Sequence, residues 1–278
     1  MLIDLSGYSF SGKSALYDIL DSLEDVGGFG IEREFELLRA PGGLYDLVAS
    51  TTGAPWSPIR SDAAVGNFKR LAYNLGGSRS LLKDRLFRLG TYYDDLFPGY
   101  SHQVDCLLKN WVETSWNAYW PFKFFLAQPL ELLTKKLLLK VSFRNPETVY
   151  LARIERGSAY NLCRAFCGSL ISSASASLNV KHLLLANSFE PSSTDAVFDL
   201  VDDCFPIVVD RDPRDIYVSA WLSINGPNPS GSATIGNSVD DFIARFIIYR
   251  DATIPNEKVI YMNFEDMVTD FDYFCEKL

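Results

Sequence analysis

The apolar residues at the start of the chain follow first the period of a β-strand and then the period of a helix. Ile3 and Leu5 alternate with polar neighbours before a glycine-containing loop, which predicts a first strand. After the loop, apolar residues follow one helix face: Ala15, Leu16, Ile19, Leu20 and Leu23. Gly27 and Gly28 then predict the end of this helix, and residues 29–32 are predicted to form a short second strand.

Strand-like and helix-like segments alternate again in the second half of the chain. Short apolar runs predict strands at 181–187, 205–210 and 259–263. Helical spacing predicts a helix after each strand, at 194–204, 213–222 and 265–278. Because strands that alternate with helices form parallel sheets covered by helices, the chain is predicted to be α/β, with three layers around a central, mostly parallel sheet.

A long helical and aromatic block lies between these two regions. Helical spacing runs over Ile59–Leu75 and Leu81–Leu96, and an apolar stripe continues from Val104 to Tyr119. We therefore predict a single domain, residues 1–278, in which residues 55–160 form a large helical insertion. Residues 224–238 are rich in Gly, Pro, Asn and Ser, which predicts a mobile loop acting as a lid.

Composition and charge restrict the classes of function. The 278 residues are 47% hydrophobic and 22% charged, which is typical of a globular protein. The formal net charge of −9 argues against binding to duplex nucleic acid, because such a surface must be basic. The sequence shows neither a basic leader followed by an apolar stretch nor an apolar run of membrane-spanning length, so we expect a cytoplasmic protein without membrane insertion.

The five cysteines are scattered along the chain, which favours free thiols over a disulfide framework. Cys163 and Cys167 lie one helical turn apart, and His102 and His182 are the only histidines. This set is too sparse for a structural zinc site, so we expect no bound metal and two buried thiols at 163 and 167.

The loop after the first predicted strand carries a phosphate-binding pattern. Gly7, Gly12, Lys13 and Ser14 fit G-x-x-x-x-G-K-[ST] in full. Small residues let backbone N–H groups turn inward around a phosphate, and the following helix directs its positive end to the same point. The strand before the loop and the helix after it supply the context that this motif requires.

A second anion-binding pattern follows the strand predicted at 205–210. Arg211 leaves that strand, Pro213 opens the next helix, and Ser219 lies nearly two turns into it. A guanidinium donates two parallel hydrogen bonds to a phosphate, and a serine hydroxyl completes the shell. Two phosphate sites in one crevice suggest a nucleotide that is phosphorylated at both ends.

Three carboxylates follow the second predicted strand. Glu32, Glu34 and Glu36 alternate along the sequence, so they share a face if the segment is extended. They are either solvated surface residues or part of a site, because ligands of open α/β sheets bind beyond the carboxyl ends of the strands.

These motifs together resemble the P-loop sulfotransferases, which use 3'-phosphoadenosine 5'-phosphosulfate (PAPS). The spacing of Arg211 and Ser219 resembles the second signature of that family, and residues 264–267, FEDM, resemble its late Y-E-D-L element. The run HLLLANSFEP at 182–191 is similar to the Asn-bearing strand of the tyrosylprotein branch. In the family loop a basic residue usually precedes Ser-Gly, whereas Lys13 follows it here.

The resemblance implies a P-loop fold and assigns roles to individual residues. It implies that the donor, whose product is adenosine 3',5'-bisphosphate, is bound by Ser11, Gly12, Lys13, Ser14, Ala15, Arg211 and Ser219. It implies that Lys13 neutralises charge on the bridging and departing oxygens of the donor, and that a glutamate deprotonates the acceptor. We expect this base to be Glu34, then Glu32, with His102 third.

The acceptor implied is a carbohydrate or a small alcohol or phenol, recognised by the helical insertion. Two alternatives remain open at this point. Lys13 and Ser14 taken alone favour a P-loop kinase that uses magnesium ATP. A nucleotide-binding protein without turnover is the third hypothesis, in which the acidic segment is only solvated.

Overall fold

The computed structural model describes residues 1–124, 133, 147–224 and 231–278, without the side chains of 123 and 124. Its elements in chain order are β1 Leu2–Gly7, α1 Lys13–Asp21, β2 Val26–Gly28, α2 Leu44–Thr52, α3 Pro58–Leu75, α4 Leu82–Phe87, α5 Tyr93–Leu96, α6 Tyr100–Trp111, β3 Thr114–Ala118, β4 Glu147–Leu151, α7 Arg156–Leu178, β5 His182–Ala186, α8 Asp195–Leu200, β6 Cys204–Asp210, α9 Pro213–Ile224, α10 Gly231–Ile235, α11 Val239–Ala252, β7 Ile260–Asn263, α12 Phe264–Thr269 and α13 Phe271–Lys277. Short 3-10 helices cover Pro121–Phe124 and Pro191–Ser193.

The chain divides into two compact units. The first unit contains Met1–Arg39, Leu96–Pro98 and Cys167–Leu278, and the second contains Ala40–Asp95 and Gly99–Phe166. The first unit holds a sheet of five parallel strands in the order β2-β5-β1-β6-β7. The predicted α/β class and the parallel central sheet are therefore confirmed.

Strand β1 lies at the centre of this sheet, and its residues Leu2 to Ser6 are buried even though Asp4 and Ser6 are polar. Leu5 pairs in register with Ala186 of β5 and Ile207 of β6, and all three are almost fully buried. A core cluster packs strand residues against α1 and α13: Ile3, Leu5, Leu184, Ile207, Val209, Met262, Leu16, Tyr17, Leu20 and Phe274. This packing fixes the carboxyl end of β1, from which the glycine-containing loop leaves.

The second predicted strand is displaced by three residues. It covers Val26–Gly28 and not residues 29–32. The two glycines are part of this strand. Neighbouring atoms lie so close to Gly28 that they leave no space for a side chain. A Cβ there would lie 2.0 Å from the Tyr17 hydroxyl and 2.3 Å from the Leu184 carbonyl oxygen.

Residues 55–124, the described part of the middle of the chain, are less helical than their apolar spacing predicts. The helix predicted over 59–75 is confirmed as α3, but residues 81–96 form two short helices, because Gly90 and Tyr92 adopt left-handed conformations between them. The predicted stripe from 104 to 119 is helical only to Trp111; residues 114–118 form β3, which pairs antiparallel with β4. This pairing joins residues some thirty positions apart, which local periodicity does not reveal.

Two further predictions near the carboxyl end need correction. The helix predicted over 265–278 is two helices, because Asp270 leaves the helical region with φ −145° and ψ 76°. In the predicted lid, residues 231–235 are helical and residues 225–230 lie outside the described part of the chain. Among the described helices, none is both long and apolar enough to cross a membrane.

Candidate functional site

The loop at residues 8–12 connects β1 to α1 and closes tightly on itself. The backbone N–H of Ser11 donates to the carbonyl of Tyr8 at 3.1 Å. Gly12 has φ +89° and precedes α1 as its N-cap, without a side-chain capping bond. Only glycine fits there, because a Cβ would lie 2.1 Å from the ring of Phe264. The amino end of α1 is thus left without a capping side chain in this unit.

The small residues of the loop have different exposures. Ser11 is fully buried, and its hydroxyl has no hydrogen-bond partner among the described residues. Ser14 is exposed in the first turn of α1, and the N–H of Ala15 donates to the Gly12 carbonyl at 3.0 Å. A buried hydroxyl without a partner costs free energy unless a ligand satisfies it.

Lys13 points toward the end of β5. Its Nζ donates to Oδ1 of Asn187 at 2.7 Å and to the Gly7 carbonyl at 3.4 Å. Asn187 follows β5 directly in the left-handed conformation, with φ 54°, and it is almost fully buried. Burial lowers the pKa of Lys13 from its ordinary value, although the nearby Glu34 opposes that change. The ammonium is therefore held in a fixed position at the sheet edge.

Glu34 is connected to Lys13 through the same asparagine. Asn187 Nδ2 donates to Oε1 of Glu34, and Arg39 Nη2 donates to Oε2 of Glu34 at 2.9 Å. Arg39 also binds Glu36 at 2.8 Å, and its Nη1 donates to Glu190. Two side-chain cations and three carboxylates are thereby linked through one amide.

The two nearest carboxylates of this network differ in protonation. Burial, the hydrogen bond to Glu34 and the charge of Glu34 together raise the pKa of Glu36 to about 7, against the opposing charge of Arg39. Burial would also raise the pKa of Glu34, but hydrogen bonds from Glu36 and Asn187 and the charges of Lys13 and Arg39 lower it overall. Glu34 is therefore the ionised member at neutral pH, and Glu36 takes the proton first.

The other candidate bases lie outside this network. Glu32 is exposed and its carboxylate lies beside Gly30. His102 is exposed on α6 in the second unit, with Nε2 3.6 Å from Sγ of Cys106. Of the three candidate bases, Glu34 is the one that the hydrogen bonds described above link to Lys13.

The second predicted site contacts the loop directly. Nη1 of Arg211 donates to the carbonyl of Phe10 at 3.2 Å and to the Ser219 hydroxyl at 3.3 Å. The guanidinium lies over the ring of Phe264, 4.5 Å from its centroid, and its Nε is buried without a partner among the described residues. Phe264 therefore packs between Gly12 and Arg211 and joins the two motifs.

The carboxyl side of this motif is also fixed by hydrogen bonds. The N–H of Asp212 donates to Oε1 of Glu265 at 2.8 Å, so the sequence FEDM holds the segment that follows Arg211. Asp210 accepts from the Arg211 N–H at 2.8 Å and forms an ion pair with Arg250. These contacts fix the backbone at Arg211 and Asp212, so the position of Arg211 depends on its backbone as well as on the hydrogen bonds of its side chain.

Sequence reasoning missed the roles of Arg39, Asn187 and Glu190 in this site. Arg39 and Glu190 are 151 positions apart, so no local pattern connects them. The available signal was topological, because Asn187 and Glu190 follow β5 and polar residues at the carboxyl ends of adjacent parallel strands meet at one edge.

The described residues contain no group of three or more His, Cys, Asp or Glu side chains placed to hold a metal ion. No protein-family model matches the chain, and comparison with curated proteins and with solved structures gives no match.

Proposed function

We propose that the protein is a P-loop sulfotransferase that moves a sulfuryl group from PAPS to a hydroxyl of a carbohydrate, alcohol or phenol. The observation that carries the proposal is the position of Arg211, whose Nη1 binds both Ser219 and the carbonyl of Phe10. A guanidinium tied to the phosphate-type loop suits a nucleotide with two separate anionic groups.

The residues present fit such a donor. Two buried polar atoms, Oγ of Ser11 and Nε of Arg211, have no partner among the described residues, and the amino end of α1 lacks a side-chain cap. Anionic oxygens satisfy all three kinds of donor. Ser11, Gly12, Lys13, Ser14 and Ala15 would hold one anionic end of the donor. Arg211 and Ser219 would hold the other, and PAPS supplies the activated sulfuryl group when bound.

In this proposal Glu34 takes the proton from the acceptor hydroxyl. It is ionised at neutral pH because Lys13, Asn187 and Arg39 stabilise its negative charge. Its two oxygens accept hydrogen bonds from Asn187, Arg39 and Glu36, and a carboxylate offers about four acceptor positions. Lys13 places a positive charge beside the reacting groups, which matters because sulfuryl transfer, like phosphoryl transfer, depends mainly on positioning and charge stabilisation.

Titration calorimetry with adenosine 3',5'-bisphosphate tests the donor site. The protein should bind this nucleotide without a metal and in preference to magnesium ATP. Arg211→Ala should weaken the affinity by about 2 kcal/mol or more, roughly thirtyfold, because a partly buried charged contact is lost. Arg214→Ala is the matched control, since Arg214 is exposed and its ion pair among the described residues is with Asp212. Equal affinity in the wild type and Arg211→Ala would contradict the assignment.

Glu34→Gln tests the base. The variant should bind the bisphosphate normally and lose about a hundredfold or more in turnover, measured as bisphosphate release with a panel of sugars and phenols. Glu32→Gln is the control, because this nearby carboxylate lies outside the hydrogen-bonded network. Loss of turnover in Glu32→Gln with full activity in Glu34→Gln would transfer the role to Glu32.

The exposed hydroxyl of Ser14 favours one alternative, a P-loop kinase that uses magnesium ATP. Asp210 ends β6 where such an enzyme places an acidic partner of magnesium, but its carboxylate binds Arg250 at 2.5 Å. Preference for magnesium ATP over the bisphosphate would support the kinase. Tight bisphosphate binding without transfer to any acceptor would instead support a non-catalytic nucleotide-binding protein.

A further inference from the structure

The second unit contains a surface cavity of about 660 Å³. It is lined by the end of α2, the segment after it and the segment that connects β4 to α7, including Thr51, Trp56, Arg153, Ile154, Glu155 and Arg156. All of these residues belong to the second unit, which contains none of the residues proposed to hold the donor.

The walls of the cavity are fixed by buried hydrogen bonds. Both backbone groups of Ala152 are bound to the buried Ser61: its N–H donates to Oγ at 2.8 Å, and its carbonyl accepts from Oγ at 3.0 Å. The same carbonyl accepts from Nε1 of Trp56 at 3.0 Å, and the N–H of Ile154 donates to the Thr51 carbonyl at 3.3 Å. The indole ring and the backbone that carries Arg153 are thus placed before any ligand arrives.

Two arginines at the cavity form no ion pair with any residue that the structure describes. Arg153 and Arg156 are exposed, and in the described part of the chain neither forms an ion pair. Their interactions are with aromatic rings: Arg153 lies 5.4 Å from the centroid of Trp56, and Arg156 lies 6.0 Å from that of Tyr160. The cavity therefore presents two exposed guanidinium groups, in a chain of net charge −9.

The carboxylate between these two arginines, that of Glu155, caps the helix that follows. Glu155 accepts from the N–H of Ser158 at 2.9 Å and from the Ser158 hydroxyl at 3.3 Å. Hydrogen bonds from the Gly157 and Ser158 backbone lower the pKa of Glu155, so it remains ionised as a cap at the start of α7. It therefore stabilises the helix and leaves the guanidinium donors of Arg153 and Arg156 available.

We propose that this cavity binds an oxyanion carried on a ring, with Arg153 and Arg156 donating to the oxyanion and Trp56 packing against the ring. Guanidinium groups bind carboxylate, sulfate and phosphate through the same paired donors, and an indole supplies a rigid apolar surface. An acidic sugar and an aromatic acid share this chemistry.

Calorimetric titration of the full chain with four probes distinguishes these sources. The probes are trigalacturonate, glucose 6-sulfate, phenyl phosphate and the neutral maltotriose. At least one anionic probe should bind, and maltotriose should not. Trigalacturonate or glucose 6-sulfate alone identifies a sugar ligand, whereas phenyl phosphate alone identifies an aromatic one. Absence of binding by all three anions, or equal binding of maltotriose, overturns the proposal.

Substitutions locate the bound probe. Arg153→Ala and Arg156→Ala should each weaken binding at least tenfold, whereas Arg60→Ala, an exposed arginine of α3 outside the lining, should not. Trp56→Phe is used if Trp56→Ala does not fold. Because it keeps an aromatic ring, Trp56→Phe should weaken binding less than Arg153→Ala or Arg156→Ala does. Arg211→Ala should leave the affinity unchanged, which separates this cavity from the nucleotide site. An affinity that is insensitive to both Arg153→Ala and Arg156→Ala contradicts the proposal.

Discussion

Arg39 contacts three carboxylates, and one guanidinium neutralises only one of them. Glu34, Glu36 and Glu190 all accept hydrogen bonds from it. Like charges held this closely disfavour full ionisation, so one member of the group keeps a proton to higher pH. The raised pKa of Glu36, at about 7, follows from this crowding together with burial.

The protonation of Glu36 should make stability depend on pH. Its pKa is higher in the folded state than in the unfolded chain, so its contribution is complete below about pH 4.5 and is lost as the pH rises through about 7. Glu36→Gln removes this dependence while it keeps an oxygen for Arg39. The variant should match the wild type near pH 5 and exceed it by about 1 kcal/mol at pH 8, a figure already discounted for partial exposure.

Urea unfolding of both proteins at pH 5 and pH 8 measures this difference. Glu32→Gln is the control, because the Glu32 carboxylate is exposed and outside the cluster. Parallel curves for the wild type and Glu36→Gln across the two pH values would show that Glu36 does not share a proton in the folded state.

Among the elements, strand β1 could be predicted from alternating residues, and strands β5, β6 and β7 from short apolar runs. The last three begin within one residue of their predicted starts, and the runs of β5 and β6 are continuous because these strands are buried on both faces. Strand β3 could not be predicted, since Trp116 is 41% exposed and pairs with Val149 far along the chain. Local sequence motifs identify the loop and Arg211. The hydrogen-bond partners of Glu34 could not be predicted in this way, because the order of the strands in the sheet brings them together.

In the edge strand β2, close contacts of the backbone require glycine. Gly28→Ala should destabilise the protein by about 2 to 4 kcal/mol, because the new methyl group overlaps the Tyr17 hydroxyl and the Leu184 carbonyl. Gly66→Ala is the matched control. It lies inside α3 with no atom within 4 Å of the added Cβ, so it should stabilise by about 0.5 to 1 kcal/mol. Chemical denaturation of both variants gives the two values, and a neutral Gly28→Ala would show that β2 moves aside without cost.

At the scale of the whole molecule, none of the five cysteines is engaged in a disulfide, in agreement with their scattered positions. They differ strongly in accessibility: Cys106 and Cys275 are exposed, Cys204 is intermediate, and Cys163 and Cys167 are fully buried. Burial raises the pKa of the Cys163 thiol to about 12 and that of Cys204 further, so neither forms a thiolate near neutral pH. The fold therefore predicts two classes of thiol.

Reaction with a thiol-specific disulfide reagent at pH 8 should show these classes. Two equivalents should react rapidly in the native protein, and the other three only after unfolding, because reagents attack accessible thiolates. Cys106→Ser and Cys275→Ser should each remove one rapid equivalent, whereas Cys163→Ser should leave the rapid phase unchanged. Since no disulfide constrains the unfolded chain, a reducing agent should not change the unfolding midpoint. A rapid phase of four or more equivalents would mean that the helix carrying Cys163 and Cys167 opens in the native state, because Cys106, Cys275 and the partly exposed Cys204 account for three at most.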